Sequence, residues 1–269
     1  MKARPLIRGK GREGRVGHGR ARMGGGSEGC VMAGTSVVFD IETQNLINDM
    51  PGIDRESKIK MLEVSCLSYL VLPSRELLAG GARAAQAVED AAMHTLWRDE
   101  DPDNVGPFEP MLKAFDEAEV IATYNGCGFD HLAMIKYYQG DNRRYQRHMA
   151  KAHDCFSRLR DATEMWYKLD ALLKENDIPT KTANGLVAIQ WWAEGKRELL
   201  QEYCEGDVRA LARLLALPQL KLPRTAFRAP NAMFGLASAI AASRTSAALL
   251  PPVVDIETEP EPNAAPGVV

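Results

Sequence analysis

The clearest hydrophobic patterns in the chain predict two buried strands and one amphipathic helix. Residues 36–41 and 120–124 are short apolar runs with several β-branched side chains, which is typical of strands buried in a sheet. Along residues 197–217 the apolar positions recur every three or four residues, and Pro218 follows them. This spacing predicts a helix that buries one face and ends at the proline.

The remaining segments complete an alternation of strands and helices. We predict a loop over 44–58, a strand over 60–72 that pairs with the first strand as a hairpin, and a glycine-containing turn after residue 124. Helices are predicted over 82–97, 108–117, 168–176 and 186–194, and from Asp130 onward. This order predicts an α/β fold, a mixed β-sheet flanked by helices, with the 36–41 strand central and the 120–124 strand beside it.

Hydrophobic periodicity is lost outside residues 34–220, which predicts one domain over 34–220 and a disordered tail over 1–33. Residues 221–269 are predicted to be a low-complexity, largely disordered tail with weak helical character over 232–250. The N-terminal tail is rich in Gly and Arg and carries a net charge of +6; since the whole chain has −3, the rest has −9. This tail is a basic arm for nucleic acid, a solvated tail, or sequence upstream of a start at Met32. An organelle transit peptide also stays open.

Cysteine usage and charge limit the compartments and binding partners that the sequence suggests. The five cysteines are scattered, with no Cys-x-x-Cys pair, which favours a reducing intracellular compartment, cytoplasmic or nuclear. No apolar run reaches transmembrane length, so no membrane contact is expected.

The acidic residues 34–269 would need bound cations or local basic patches to bind nucleic acid. One basic cluster is either a solvated face or a phosphate contact, and it consists of Arg143, Arg144, Arg147 and Lys151.

A pair of carboxylates ends the first predicted strand. Side chains alternate along a strand, so Asp40 and Glu42 project to one side and Ile41 to the other. Buried carboxylates repel each other, and a divalent cation with oxygen ligands relieves that repulsion. A strand that merely ends in acidic residues is the alternative. Residues 255–258 repeat the same four letters in a Pro-rich segment where no central strand is expected.

Two further segments carry candidate polar side chains, one near the start of a predicted helix and one inside the helix predicted over 197–217. Asp130 follows a strand and a glycine turn, where α/β sheets present ligands and where a carboxylate can also cap a helix. His131 beside it is expected at the surface. Tyr203 and Asp207 lie one turn apart next to the apolar stripe of the last long helix. An Asp on that face is costly unless it is paired or binds a metal.

In order and spacing, these residues resemble the three motifs of the DEDD superfamily of 3′→5′ exonucleases. Residues 38–43 (Val-Phe-Asp-Ile-Glu-Thr) resemble the first motif, and residues 124–130 (Tyr-Asn-Gly-x-x-Phe-Asp) the second. Tyr203-x-x-x-Asp207 resembles the third in its tyrosine form. The resemblance is nearest to stand-alone exonuclease domains of the family B polymerase type, and it implies a ribonuclease-H-like fold.

The resemblance also implies a two-metal-ion mechanism with Mg²⁺ or Mn²⁺. Asp40 would be the ligand shared by both ions, and Glu42 and Asp207 would complete the site that activates water. Asp130 would hold the second ion, directly or through solvent. Tyr203 would orient the attacking water.

The resulting prediction is a metal-dependent exonuclease that acts at the 3′ end of single-stranded nucleic acid, with DNA favoured over RNA. Thr43 and Asn125 are candidate contacts to the strand, and a base is expected to stack on a wall after Thr43 or around residues 124–129. Two alternatives stay open, an RNA-processing exoribonuclease of the ribonuclease D type and an inactive ribonuclease-H-like module that binds nucleic acid or serves as a scaffold. A polymerase or another replication or repair protein fits as a partner.

Overall fold

The computed structural model describes residues 34–101, 106–180, 185–223, 228–230 and 236–249. The predictions of disordered tails over 1–33 and 250–269 lie outside the described residues. In the described ranges, no helix is both long enough and apolar enough to cross a membrane.

Five strands form one mixed sheet: β1 (Thr35–Thr43), β2 (Val64–Pro73), β3 (Met93–Trp97), β4 (Ala118–Thr123) and β5 (Ala152–Asp154). Their order across the sheet is β3-β2-β1-β4-β5. β1 pairs antiparallel with β2 and parallel with β4, so the strand that carries the paired carboxylates is central, as predicted. A separate two-stranded sheet joins β6 (Gln219–Lys221) to β7 (Arg228–Pro230).

Helices connect and cover the strands. They are α1 (Arg55–Met61), α2 (Ser74–Ala79), α3 (Gly81–Asp90), α4 (Glu109–Glu117), α5 (Asp130–Met134), α6 (Asn142–Lys151), α7 (Cys155–Thr163), α8 (Leu169–Glu175), α9 (Gly185–Ala193), α10 (Arg197–Ala216) and α11 (Leu236–Leu249). The predicted helices over 108–117, 168–176, 186–194 and 197–217 are confirmed to within one residue at each end.

The two faces of the sheet build two parts of the core. Val37 and Phe39 project into a cluster with α4 and α5, whereas Val38 projects into a cluster with α10. This separation follows from the two-residue period of a strand. Because Asp40 and Glu42 are in phase with Val38, β1 directs both carboxylates toward the face that α10 covers.

The prediction of one helix over 82–97 is wrong beyond residue 90. Residues 93–97 form β3, which pairs antiparallel with β2 and places Trp97 opposite Cys66. The alanines before this segment have a high helix propensity, and the prediction carried the helix past its true end on that basis. Pairing with β2 decides the outcome, because it satisfies backbone groups that would otherwise stay exposed at the edge of the sheet.

The predicted loop over 44–58 and the predicted strand start at residue 60 are also corrected. α1 begins at Arg55, where the Asp54 side chain accepts a hydrogen bond of 2.8 Å from the Ser57 N–H. This is an N-cap, which satisfies one of the free donors at a helix start. Ile59 of α1 is fully buried, and the second strand begins only at Val64.

Some residues of the predicted tail over 221–269 are described by the structure and pack on the core. Leu222 and Ile240 are 2% and 1% exposed and pack in the same core cluster as Val38. Arg244 of α11 forms an ion pair with Glu119 of β4 at 2.6 Å. α11 lies in the segment where the sequence showed only weak helical character, because small residues such as Ala and Ser give little contrast between helix faces.

Candidate functional site

Two carboxylates lie near the carboxyl-terminal end of β1. Asp40 is half-buried and Glu42 is 8% exposed, on the face toward α10. β1 pairs with β2 as far as Thr43 but with β4 only as far as Val38. The strand is therefore open on its β4 side from Asp40 onward, which leaves room for other groups beside the carboxylates.

Helix α10 brings a third carboxylate to the same place. Tyr203 and Asp207 lie one turn apart and are 6% and 7% exposed. Between them, the Cys204 thiol donates a hydrogen bond of 3.6 Å to the backbone oxygen of Asp40 and so joins α10 to β1. One carboxylate oxygen from each of Asp40, Glu42 and Asp207 lies within 4.8 Å of the other two.

Asp130 lies close to these three carboxylates. It is the first residue of α5 and is 5% exposed. The group of oxygens within 4.8 Å does not include Asp130, but all four carboxylates line one cavity of about 240 Å³. The wall of this carboxylate cavity also contains the predicted residues Tyr203, Thr43 and Asn125.

The electrostatic environment of Asp130 opposes its ionisation. Burial raises the pKa of Asp130 to about 7, and the Asp154 and Asp207 carboxylates act in the same direction. Hydrogen bonding with the Ile41 N–H acts against this rise. A nearby cation favours the charged form of a carboxylate, so a cation bound in the cavity would lower this pKa again.

Asp154, at the end of β5, is a buried carboxylate that the sequence analysis missed. It accepts hydrogen bonds from the N–H groups of Asn125 at 2.8 Å and Cys127 at 3.1 Å. It also caps α7 by accepting from the Phe156 N–H at 3.1 Å. Asp154 therefore holds the turn that leads into Asp130. Its strand is three residues long, too short for a hydrophobic pattern to reveal it.

The turn that Asp154 holds has a constrained backbone. Asn125 adopts the left-handed conformation, with a φ of 67°. At Gly126 an added Cβ would lie 2.3 Å from Thr123 Oγ1, so no side chain fits there. The Asn-Gly sequence is thus required by the geometry of the turn, and it places Asn125 on the wall of the carboxylate cavity.

The donor set of the cavity fits a hard divalent cation. Carboxylates that converge this closely in a largely buried place repel one another unless a positive charge lies among them. Oxygen ligands suit Mg²⁺ or Mn²⁺, whereas softer metals prefer sulfur and imidazole. Asp40, Glu42 and Asp207 could therefore hold such an ion, with Asp130 on the same wall.

The predicted basic cluster lies on α6, and none of its four described side chains lines the carboxylate cavity. Arg144 forms ion pairs of 2.8 and 2.7 Å with two acidic side chains. Lys151 donates to a backbone oxygen at 2.6 Å. These two residues are engaged within the protein, whereas Arg143 and Arg147 are exposed. A contact between the cluster and nucleic acid stays a prediction.

The expectation that His131 lies at the surface is wrong. The residue is 1% exposed, and its ring meets Phe39 edge-on with centroids 5.2 Å apart. Burial, with a smaller effect of His148, lowers the pKa of His131 to about 4, so the imidazole is neutral at neutral pH. The ring belongs to the core on the face of the sheet away from α10.

Comparison with known proteins gives a family match and likenesses among solved structures. No curated protein matches the sequence significantly. Among solved structures, the chain is similar to the family B DNA polymerase from the hyperthermophilic archaeon Pyrobaculum calidifontis, with 18% identity and a TM-score of 0.45. That alignment covers 66% of this chain, which spans only 24% of the polymerase.

The family match is to the RNase H superfamily and covers residues 80–218. This range contains Asp130, Tyr203 and Asp207 and begins after Asp40 and Glu42. It includes just over half of the 269 residues, and the chain belongs to the RNase H superfamily.

Proposed function

We propose that the chain is a metal-dependent 3′→5′ exonuclease that hydrolyses phosphodiester bonds at the 3′ end of single-stranded nucleic acid. The observation that carries this proposal is the convergence of Asp40, Glu42 and Asp207 within 4.8 Å, on a cavity that Asp130 and Tyr203 also line. Membership of the RNase H superfamily supports nuclease chemistry at this cavity.

The four carboxylates act as ligands in this proposal. Two divalent cations, when bound there, supply an activated water and stabilise the negative charge on the departing oxygen. In this proposal, Asp40 would be a ligand of both cations. Glu42 and Asp207 would complete the site that activates the attacking water. Asp130 completes the set from α5, either directly or through a water molecule.

Tyr203 is proposed to position the attacking water. Its ring is 6% exposed and meets Trp191 edge-on with centroids 5.9 Å apart, so packing restricts where the hydroxyl can point. The hydroxyl can both donate and accept a hydrogen bond without giving up its proton. Thr43 and Asn125, on the same wall, are proposed to contact the terminal nucleotide.

Purified full-length protein with Mg²⁺ or Mn²⁺ tests the proposed function on 5′-labelled single-stranded DNA and RNA side by side. We expect a ladder of labelled products that shorten progressively from the 3′ end, and no products in EDTA. A circular strand of the same composition serves as the control, because an exonuclease cannot begin on a substrate without ends.

Each other outcome points to a different activity. Cleavage of the circle would identify an endonuclease and contradict the proposal. Hydrolysis of RNA alone would identify an exoribonuclease of the ribonuclease D type. Binding of the strands without hydrolysis under any metal would identify the inactive module.

A further inference from the structure

A second cavity, of about 320 Å³, shares four lining residues with the carboxylate cavity: Asp40, Asp207, Tyr124 and Asn125. Its other walls include Phe156 on α7 and Lys168 before α8. The volume is at the low end of the range for small-ligand sites, roughly 300–1,000 Å³. A group bound in this second cavity therefore lies against the carboxylates on which the proposed chemistry depends.

Three aromatic rings lead from the second cavity to solvent. Tyr124 meets Phe156 edge-on with centroids 5.7 Å apart, and Phe156 lies 5.3 Å from Trp166. The Tyr124 hydroxyl donates a 2.6 Å hydrogen bond to the Tyr167 backbone oxygen, which fixes the inner ring. Trp166 is 69% exposed, so the outer end of this aromatic series offers a flat apolar face to a ligand.

Positive charge accompanies the aromatic series. Lys168 lines the second cavity and is exposed. The Arg160 guanidinium lies 5.3 Å from the centre of the Trp166 ring and is itself ion-paired with Asp161 at 3.0 Å. The neighbouring groove along α10, of about 720 Å³, differs in charge. Three glutamates line it, and one of its two arginines is already ion-paired. A phosphate backbone is therefore favoured on the aromatic side of the carboxylates.

We propose that the second cavity and the aromatic series form a binding track for single-stranded nucleic acid. One base stacks on Phe156, the next stacks on Trp166, and a phosphate lies near Lys168. This inference rests on the proposed function and deepens it by assigning the path of the strand. Because every base has a flat face, such a track binds strands with little sequence preference.

An abasic scan with the full-length protein tests the track. Single-stranded DNA oligomers each carry one abasic site at one of the last four positions from the 3′ end, and KM and kcat are measured with Mn²⁺. In the wild type, we expect KM to rise roughly 5- to 150-fold where the missing base would have stacked. Each of the variants Trp166→Leu and Phe156→Leu should abolish the rise in KM at the one abasic position whose base would stack on the replaced ring, because that ring is already absent.

Met165→Ala is the matched control, since Met165 is 48% exposed, adjoins Trp166 in sequence and does not line the second cavity. It should keep the wild-type pattern. Because Phe156 is partly buried, thermal melting first checks that Phe156→Leu folds. If it does not fold, the test rests on Trp166→Leu, since Trp166 is exposed.

The track is refuted if no abasic position raises KM in the wild type, or if Trp166→Leu abolishes none of the rises in KM seen in the wild type. Failure of the proposed function gives a different result, because then no strand is hydrolysed at all. In that case the same oligomers and variants are compared by fluorescence anisotropy. Equal affinities for intact and abasic strands would then overturn the track as well.

Discussion

Asp130 has a pKa of about 7 in the folded protein against an ordinary value of 3.8, chiefly because it is buried. The native state then binds this proton more tightly than the unfolded chain does. The contribution of Asp130 to stability therefore falls as pH rises from about 4 to about 7. His131 acts in the opposite direction, since its pKa is lowered from 6.5 to about 4 and its contribution is lost as pH falls through that range.

We expect Asp130→Asn in EDTA to be more stable than the wild type, by a margin that grows as pH rises from about 4 to about 7. The contribution of His131 is common to both proteins and cancels in the difference. Urea melts at several pH values in EDTA measure this margin. A margin that stays constant or shrinks with rising pH would show that the pKa of Asp130 is not raised.

Tyr203→Phe removes one hydroxyl and keeps the ring that packs against Trp191. We expect turnover to fall by ~10- to 10³-fold, because positioning water through one hydroxyl is a smaller contribution than the cations. The rise in melting temperature on adding Mn²⁺ should equal that of the wild type, since the carboxylates are unchanged. Turnover within twofold of wild type would remove Tyr203 from the reaction, and a lost Mn²⁺ response would give it a structural role instead.

At the scale of elements, the sequence predicted the strands and helices whose own residues show a complete hydrophobic pattern. β1, β4 and α10 have strong hydrophobic periods, and they hold Asp40, Glu42 and Asp207 together with the turn before Asp130. β3 and β5 could not be predicted, because pairing with β2 and β4 determines them rather than local propensity.

The missed parts of the site have the same origin. Asp154 accepts hydrogen bonds from backbone N–H groups of a turn distant in sequence, and the spacing of side chains along the chain does not reveal such contacts. The aromatic series joins Tyr124, Phe156 and Trp166 from three separate segments. Only the packed fold shows that these rings are neighbours.

Helix α6 carries two kinds of basic residue that substitution can separate. We propose that the exposed Arg143 and Arg147 contact phosphates, so replacing both with Ala should reduce the slope of log affinity against log salt by about 1.4 for single strands. Arg144→Ala should leave the slope unchanged and lower the free energy of unfolding by ~1–3 kcal/mol, because it leaves partly buried acidic partners unpaired. An unchanged slope in the double variant would make α6 a solvated face.

At the scale of the whole molecule, α11 joins the predicted C-terminal tail to the core. Ile240 is 1% exposed in the core, so Ile240→Ala should lower the free energy of unfolding by ~2–5 kcal/mol. The neighbouring exposed position gives the control Ala241→Ser, which should change stability little. Urea melts of the full chain measure both. Equal stability of Ile240→Ala and wild type would show that the packing of Ile240 against the core does not contribute to the fold.

The central claim is that Asp40, Glu42 and Asp207 form a metal site at which the hydrolysis occurs. Asp40→Asn tests it most directly, in thermal melts with EDTA and with Mn²⁺ run beside the exonuclease assay. In EDTA the variant should be at least as stable as the wild type, because one of three converging like charges is gone. An Asp that only supports the structure would lose stability and activity together.

With Mn²⁺ we expect the Asp40→Asn protein to gain less stability than the wild type and to release no products from the 3′ end. Stability and activity thus move in opposite directions at this one position. An Asp40→Asn protein that still shortens 5′-labelled strands, or that Mn²⁺ stabilises as much as the wild type, would contradict the assignment of this site.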